Sequence, residues 1–330
     1  MDSTILSSLH SFGVGIDVGK NEMVVCRRSS QSGLVAAPTI SIPNTTTGIK
    51  KLVREFRKQS VSSDTPIVLE STGPYHWQAA HDLTEAGFLA KVINPLHTRH
   101  AIRNSIRKRK TDKIDAEHLA MLAYQNYGYP FQETREIAEL KALVRHFWYL
   151  KHQHTGQMQH ENYLRNYRGI KKFSTSEYVA KQIEALEPEI LSRFKGNDLR
   201  YLDSIPGVTP ILAATVLAEL YPLNRFSKIE QIIAVSGLDP SVKQSGGKTA
   251  HFGKLSKRGS PLLRHALFCS IFGAFIREPW RTLYLNHKER GLHHIEVFCI
   301  LSRKLLRIMW ALLKKRREFD AKYLTVDKSV

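Results

Sequence analysis

The stretch GVGIDVGKNEMVVCRR, residues 13–28, sets one carboxylate, Asp17, inside an apolar run and then resumes with a second run. Val14, Ile16 and Val18 alternate as in a half-buried strand, and GKNE is turn material. A carboxylate among such neighbours is costly to bury unless a cation meets it. Asp17 therefore reads as a strand-end acid that requires a positively charged partner.

Outward from this stretch, MVVCRR and VAAPTISI read as second and third strands separated by SSQSG. TTTGIKKLVREFRKQ places Ile49, Leu52, Val53 and Phe56 at helical spacing behind a Thr cap. PIVLEST is a buried-type strand, YHWQAAHDLTEAG a helix closed by Gly87, FLAKVINP another strand, and TDKIDAEHLAMLAYQN a further helix. Three sequential strands and then helix–strand–helix–strand imply a mixed α/β sheet whose first three strands are antiparallel, the ribonuclease H-like arrangement.

Residues 131–198 turn polar and helical. Ile137, Leu140, Val144, Phe147 and Leu150 form an apolar seam near heptad spacing, which suits a helical linker folded as a hairpin or short coiled coil. A third part, 199–330, is mainly helical. LDSIPGVTPILAATVLAEL holds a Pro206-Gly207 turn, Thr209 as N-cap and Pro210 at the first helical position, in the manner of a helix-hairpin-helix. FSKIEQIIAVSGL opens with a capping box of Ser227 and Glu230. DPSVKQSGGKTAHFGKLSKRGSP is a basic, glycine-rich loop, and HHIEVFCILSRKLLRIMWALLKKRREF a basic amphipathic helix.

In 330 residues, 49 Lys and Arg stand against 30 Asp and Glu, a net charge of +19. That surplus favours a polyanionic partner, and nucleic acid fits best. No apolar run reaches the ~18 residues of a membrane span, and no leader pattern opens the chain, so no membrane partner is expected. The three cysteines are widely spaced without a CxxC pair, which suits a reducing compartment. The histidines show no ligand spacing.

The acids carry the chemistry. Asp17 closes the first strand, Glu70 ends PIVLE, and Asp112 and Asp115 share one helical face. Strand ends and a helix start can converge, and four repelling carboxylates suit Mg²⁺, with Mn²⁺ an equal fit. Two such ions about 3.5–4 Å apart form the usual arrangement for displacement at phosphate. Taken singly, Asp112 and Asp115 also suit a helix's first turn, and Glu70 a solvent-facing strand end. GIDVG also resembles the first phosphate loop of actin-like ATPases, but the second Asp-Gly-Gly loop of that class is missing. Arg99, Arg103, Arg107, Lys108, Arg109 and Lys110 precede the Asp112 helix, and Lys257, Arg258 and Arg264 follow the glycine-rich loop. Both groups suit phosphate contacts that position nucleic acid.

GIDVGKNEMVV, LESTGPYHW, VINP and RKRKTDKIDAEHLA together resemble the DEDD-type insertion-sequence transposases, which have a RuvC-like N-terminal domain and include relatives of a pilin-gene-inverting recombinase. IPGVTPILAATVLAEL, AVSGLDPSVKQSGGKT and GKLSKRGSPLLRHAL resemble the same family's C-terminal transposase domain. The resemblance implies that Asp17, Glu70, Asp112 and Asp115 bind Mg²⁺ and that Ser245 is a nucleophile. It implies donor and target double-stranded DNA as substrates and a structured noncoding bridge RNA as guide. It also implies a bacterial cytoplasmic protein, nucleoid-associated on DNA. Cutting and rejoining two duplexes takes four strand cleavages, which leads to a homo-oligomer, a tetramer or dimer of dimers. A RuvC-like junction nuclease would use the acids without Ser245, and a non-catalytic nucleic-acid-binding protein would need neither. On this reading the chain has three parts: a catalytic domain (1–130), a helical linker (131–198) and a serine-bearing domain (199–330).

Overall fold

A computed structural model describes residues 12–29, 35–71, 73–95, 98, 111–167, 175–243 and 251–324. The chain divides into two compact units, Met1–Thr134 and Arg135–Val330.

The first unit is built on a six-stranded sheet. β1 (Phe12–Val18), β2 (Glu22–Ser29) and β3 (Val35–Pro43) form an antiparallel meander. β4 (Pro66–Glu70) then lies parallel to β1 on its other side, and β5 (Leu89–Ile93) parallel to β4. The resulting order is β3-β2-β1-β4-β5-β6. β6 (Tyr129–Pro130) pairs antiparallel with β5 and is not legible in the sequence, because two residues ending in proline carry no strand pattern.

α1 (Thr46–Lys58) starts where the Thr45 side chain accepts the Gly48 amide at 3.1 Å. Its Ile49, Leu52 and Phe56 join Ala79, Ala80 and Leu83 of α2 (His76–Glu85) over Val14, Ile16 and Val18 of β1. α3 (Asp112–Tyr124) covers the opposite face, where Leu119 and Leu122 pack on Val68 and Ile93. Lys91, buried on β5, donates its Nζ to the Asn126 carbonyl at 3.1 Å and the Asn126 side chain at 2.6 Å, which fixes the turn after α3. Burial pushes the Lys91 ammonium down from its ordinary range.

The second unit is mainly helical. α4 (Arg135–Leu164) and α5 (Ser176–Ser192) form a hairpin, with Leu140, Val144 and Phe147 buried against Ile183 and Ile190. This seam also packs on Ala214 and Ala218, so the hairpin shares a core with the helices that follow. α6 (Asp198–Asp203) leads through the Pro206–Gly207 turn into α7 (Pro210–Leu220), which is buried from Leu212 onward. Gly207 sits at φ +90°, and a Cβ there would strike Ala274 and the Ser270 carbonyl. Glu219 is 6% exposed on α7, where Arg145 of α4 pairs with both its oxygens, at 2.9 and 3.2 Å.

α8 (Ile229–Ser236) begins one residue later than the Ser227–Glu230 box implies. Gln231, rather than Glu230, reaches back to the amides of Ser227 at 2.8 Å and Lys228 at 3.3 Å. The glycine-rich segment is not all loop: β7 (Pro240–Lys243) and β8 (His251–Leu255) pair as a hairpin. α9 (Pro261–Ala274), α10 (Trp280–Glu289) and α11 (His294–Lys315) complete the unit, and Leu263, Leu267, Phe298, Leu305 and Met309 share its main core. Among the described residues no helix is long and apolar enough to cross a membrane.

Candidate active site

Alternate residues of a strand share a face, so β1 presents Gly13, Gly15 and Asp17 together. α3 crosses that face. A Cβ on Gly15 would run into the Ala120 amide and Ala116 carbonyl, and one on Gly13 into the Tyr124 amide and Ala120 carbonyl. The glycines thus let strand and helix backbones touch. Two strand residues advance about 6.6 Å and four helical residues about 6 Å, so each step along β1 matches one step back along α3. The step after Gly15 brings Asp17 to the first turn of α3, which holds Asp112 and Asp115.

Strand register supplies the fourth acid. Gly15 lies opposite Val68 and Ile16 opposite Leu69 in the parallel β1–β4 pair, and one further step sets Glu70 beside Asp17. Val68 packs on Leu119 of α3, so Glu70, two residues on, faces the same helix.

The electrostatics agree with this placement. Burial pushes the Asp17 carboxyl up to about 6, and the charges of Asp112, Asp115 and Glu70 push it the same way; a backbone hydrogen bond from Val18 works against them. Thr111 caps α3 by accepting the Ile114 amide at 3.3 Å, and the positive end of the helix offsets part of the repulsion. Carboxylates that act on one another in this way are the kind of donor that a hard divalent cation relieves. Among the described residues, no three His, Cys, Asp or Glu side chains are grouped closely enough to hold an ion as they stand. The carboxylates fit a divalent cation in kind and in charge.

Asn44 is a positioning residue that sequence reading misses, because one polar residue before a helix cap carries no pattern. Its Nδ2 donates to the Gly19 carbonyl at 2.9 Å and the Tyr75 carbonyl at 3.2 Å. It thereby ties the turn after Asp17 to the segment after Glu70.

Ser245 lies outside the described residues, as do Arg99, Arg103, Arg107, Lys108, Arg109 and Lys110. The base of the β7–β8 hairpin is described, and it is braced. Ser256 Oγ donates to Asp239 at 2.6 Å, and the amides of Lys257 and Ser260 donate to the carbonyls of Gly237 and Val235. Arg264, expected on nucleic acid, donates its Nη1 to the Ser236 carbonyl at 2.8 Å and the Gly259 carbonyl at 3.1 Å. Lys257 and Arg258 are exposed beside that brace.

A transposase family model of the DEDD, IS110 type matches residues 14–167, and the model of the transposase IS116/IS110/IS902 family matches residues 199–284. This chain belongs to the IS110/IS116/IS902 family of transposases. The transposase is 25% identical over 322 residues to the pilin gene-inverting protein of Moraxella bovis, covering 93% of this chain and 97% of the relative. It is 23% identical over 346 residues to the transposase for insertion sequence element IS1328 of Yersinia enterocolitica, covering 93% and 98%. Against the transposase for IS1111A of Coxiella burnetii it is 26% identical over 300 residues, covering 77% and 79%. The transposase is accordingly an enzyme of DNA recombination, and its DEDD class points to a divalent metal.

Proposed function

We propose that this transposase cuts and rejoins DNA through a phosphoserine intermediate, with Asp17, Glu70, Asp112 and Asp115 holding Mg²⁺ or Mn²⁺ at a ribonuclease H-like, RuvC-like domain. The observation that carries the reading is the convergence of strand register and the β1–α3 backbone contact on these four acids, with burial first and the charges of Asp112, Asp115 and Glu70 after it raising the Asp17 carboxyl to about 6. A divalent cation bound there would neutralise and polarise the scissile phosphate. Asp17 is held by the Gly13–Gly15 approach and Glu70 by strand register, so the two acids arrive on fixed backbone while Asp112 and Asp115 ride one helical turn.

Ser245 Oγ forms a bond to phosphorus, and the deoxyribose oxygen leaves with a proton. The phosphodiester energy is kept in the serine link, so the reverse attack by a sugar hydroxyl rejoins DNA without a further energy source. Arg99, Arg103, Arg107, Lys108, Arg109, Lys110, Lys257 and Arg258 would contact the backbone of donor and target DNA or of a bridge RNA that pairs with them. Four strand cleavages per event support a tetramer or dimer of dimers. The division into 1–130, 131–198 and 199–330 assigns metal chemistry, self-association and the nucleophile to successive parts of the chain.

The test is an adduct assay with Mg²⁺, labelled element-end and target DNA, and RNA transcribed from the element's flanks. Protein-linked DNA that disappears with Ser245→Ala and without Mg²⁺ supports the reading. Free cleaved ends without linked protein would instead identify a metal-dependent junction nuclease.

A further inference from the structure

α11 buries Val297, Leu301, Leu305, Met309 and Leu312 in the core of the second unit. Cys299, Arg303, Arg307, Trp310 and Lys314 recur every three or four residues on the opposite side of the helix. The three cations span about 16 Å at 1.5 Å per residue. Among the described residues no carboxylate pairs with any of them. The Arg303 Nε is shut off from water without a hydrogen-bond partner.

Aromatic rings extend the row sideways. Lys314 Nζ lies 4.6 Å over the Trp310 ring, Trp310 meets Phe226 edge-on at 6.4 Å, and the Arg225 guanidinium lies 4.6 Å over Phe226. At the other end, the charges of Arg303 and Lys257 both bear on the Cys299 thiol. Burial raises that thiol, and Arg303 of the row and Lys257 at the base of the β7–β8 hairpin both pull it back.

We propose that this outer ridge of α11 is a binding track for the phosphate backbone of duplex DNA, leading it towards the β7–β8 hairpin. The assignment to DNA rests on the serine reading above, in which the hairpin's partner is the strand to be cut. A membrane surface does not fit, because the apolar face of α11 is already buried. Unpaired cations at helical spacing hold a polyanion without reading its sequence, so the track supplies affinity and path.

The test is the salt dependence of binding by the full-length protein to a random-sequence DNA duplex between about 50 and 200 mM KCl. Each phosphate contact contributes a slope of about 0.9, so Arg303→Gln/Arg307→Gln/Lys314→Gln lowers the slope by about 2 to 3. A matched variant, Lys50→Gln/Lys51→Gln/Arg54→Gln, removes the same charge from exposed positions on α1, on the sheet face opposite α3, and keeps the slope. Equal losses in both variants, or no loss in the first, would overturn the proposal. So would a loss confined to an RNA hairpin with duplex binding intact. Should the triple variant fail to fold, Arg307→Gln alone, at an exposed position, is expected to lower the slope by about 0.9. The adduct assay separates the two readings: adducts with an unchanged slope discard the track, whereas a lowered slope without adducts keeps the track and discards the serine.

Discussion

Gly15 of β1 and Ala120 of α3 meet backbone to backbone, with no room for a side chain between them. That contact sets how far α3 slides along β1, and so it sets where Asp112 and Asp115 stand over Asp17. Gly15→Ala is expected to cost about 1–3 kcal/mol in urea unfolding, because a Cβ must displace helix backbone rather than a flexible side-chain tip. The same change should weaken metal-dependent cleavage more than DNA binding. A neutral Gly15→Ala would show that α3 tolerates a shift, and the register account would fail.

The raised Asp17 carboxyl predicts a pH dependence with a definite sign. Between the ordinary value of 3.8 and about 6, folded Asp17 holds a proton that the unfolded chain has released. Stability without metal therefore falls as pH rises through that window, and the penalty persists above it. Asp17→Asn should flatten this profile and melt higher than the unaltered protein at neutral pH in chelator. Added Mg²⁺ should raise the melting temperature of the unaltered protein but not of the variant.

The brace beneath the β7–β8 hairpin turns on Arg264. Arg264→Met leaves the carbonyls of Ser236 and Gly259 without their donor, an expected loss of roughly 1–3 kcal/mol. Hydrogen exchange should quicken at residues 235–239 and 256–260 while the first unit is unchanged. Uniform protection in the variant would contradict the brace.

The Arg145–Glu219 pair locks α4 to α7 with the carboxylate almost wholly buried and the arginine largely exposed. Arg145→Met should cost roughly 1–3 kcal/mol by leaving that carboxylate unmatched. Glu219→Gln should cost less, and the double variant should show a clear coupling energy in a mutant cycle. Additive losses would mean that the pair does not hold the helices together.

Much of the first unit is legible in the sequence because its elements are short, regular and punctuated. Strands β1 to β5 each show an apolar run bounded by turn residues, and a Thr cap announces α1. The acid in an apolar strand is a strong signal because burial makes such a residue costly. The Gly13–Gly15–Asp17 alternation is visible as well, but its meaning needs the partner helix, which lies a hundred residues away in sequence. β6, β7 and β8 escape notice because two residues, or a glycine-rich stretch, carry no hydrophobic period. Charge is all that sequence shows of Arg264, whereas its hydrogen bonds to the Ser236 and Gly259 carbonyls depend on the fold around Gly259. α10 goes unread because its only fully buried apolar residue is Trp280.

The most direct test of the site is the titration of Asp17 itself, followed by carboxyl carbon NMR in the metal-free protein. The geometry predicts a value of about 6, a fall towards the ordinary range in Asp112→Asn and Asp115→Asn, and a fall on adding Mg²⁺. A value near the ordinary 3.8 that responds to none of these changes would mean that the four acids do not face one another, and the metal site built on them would be lost.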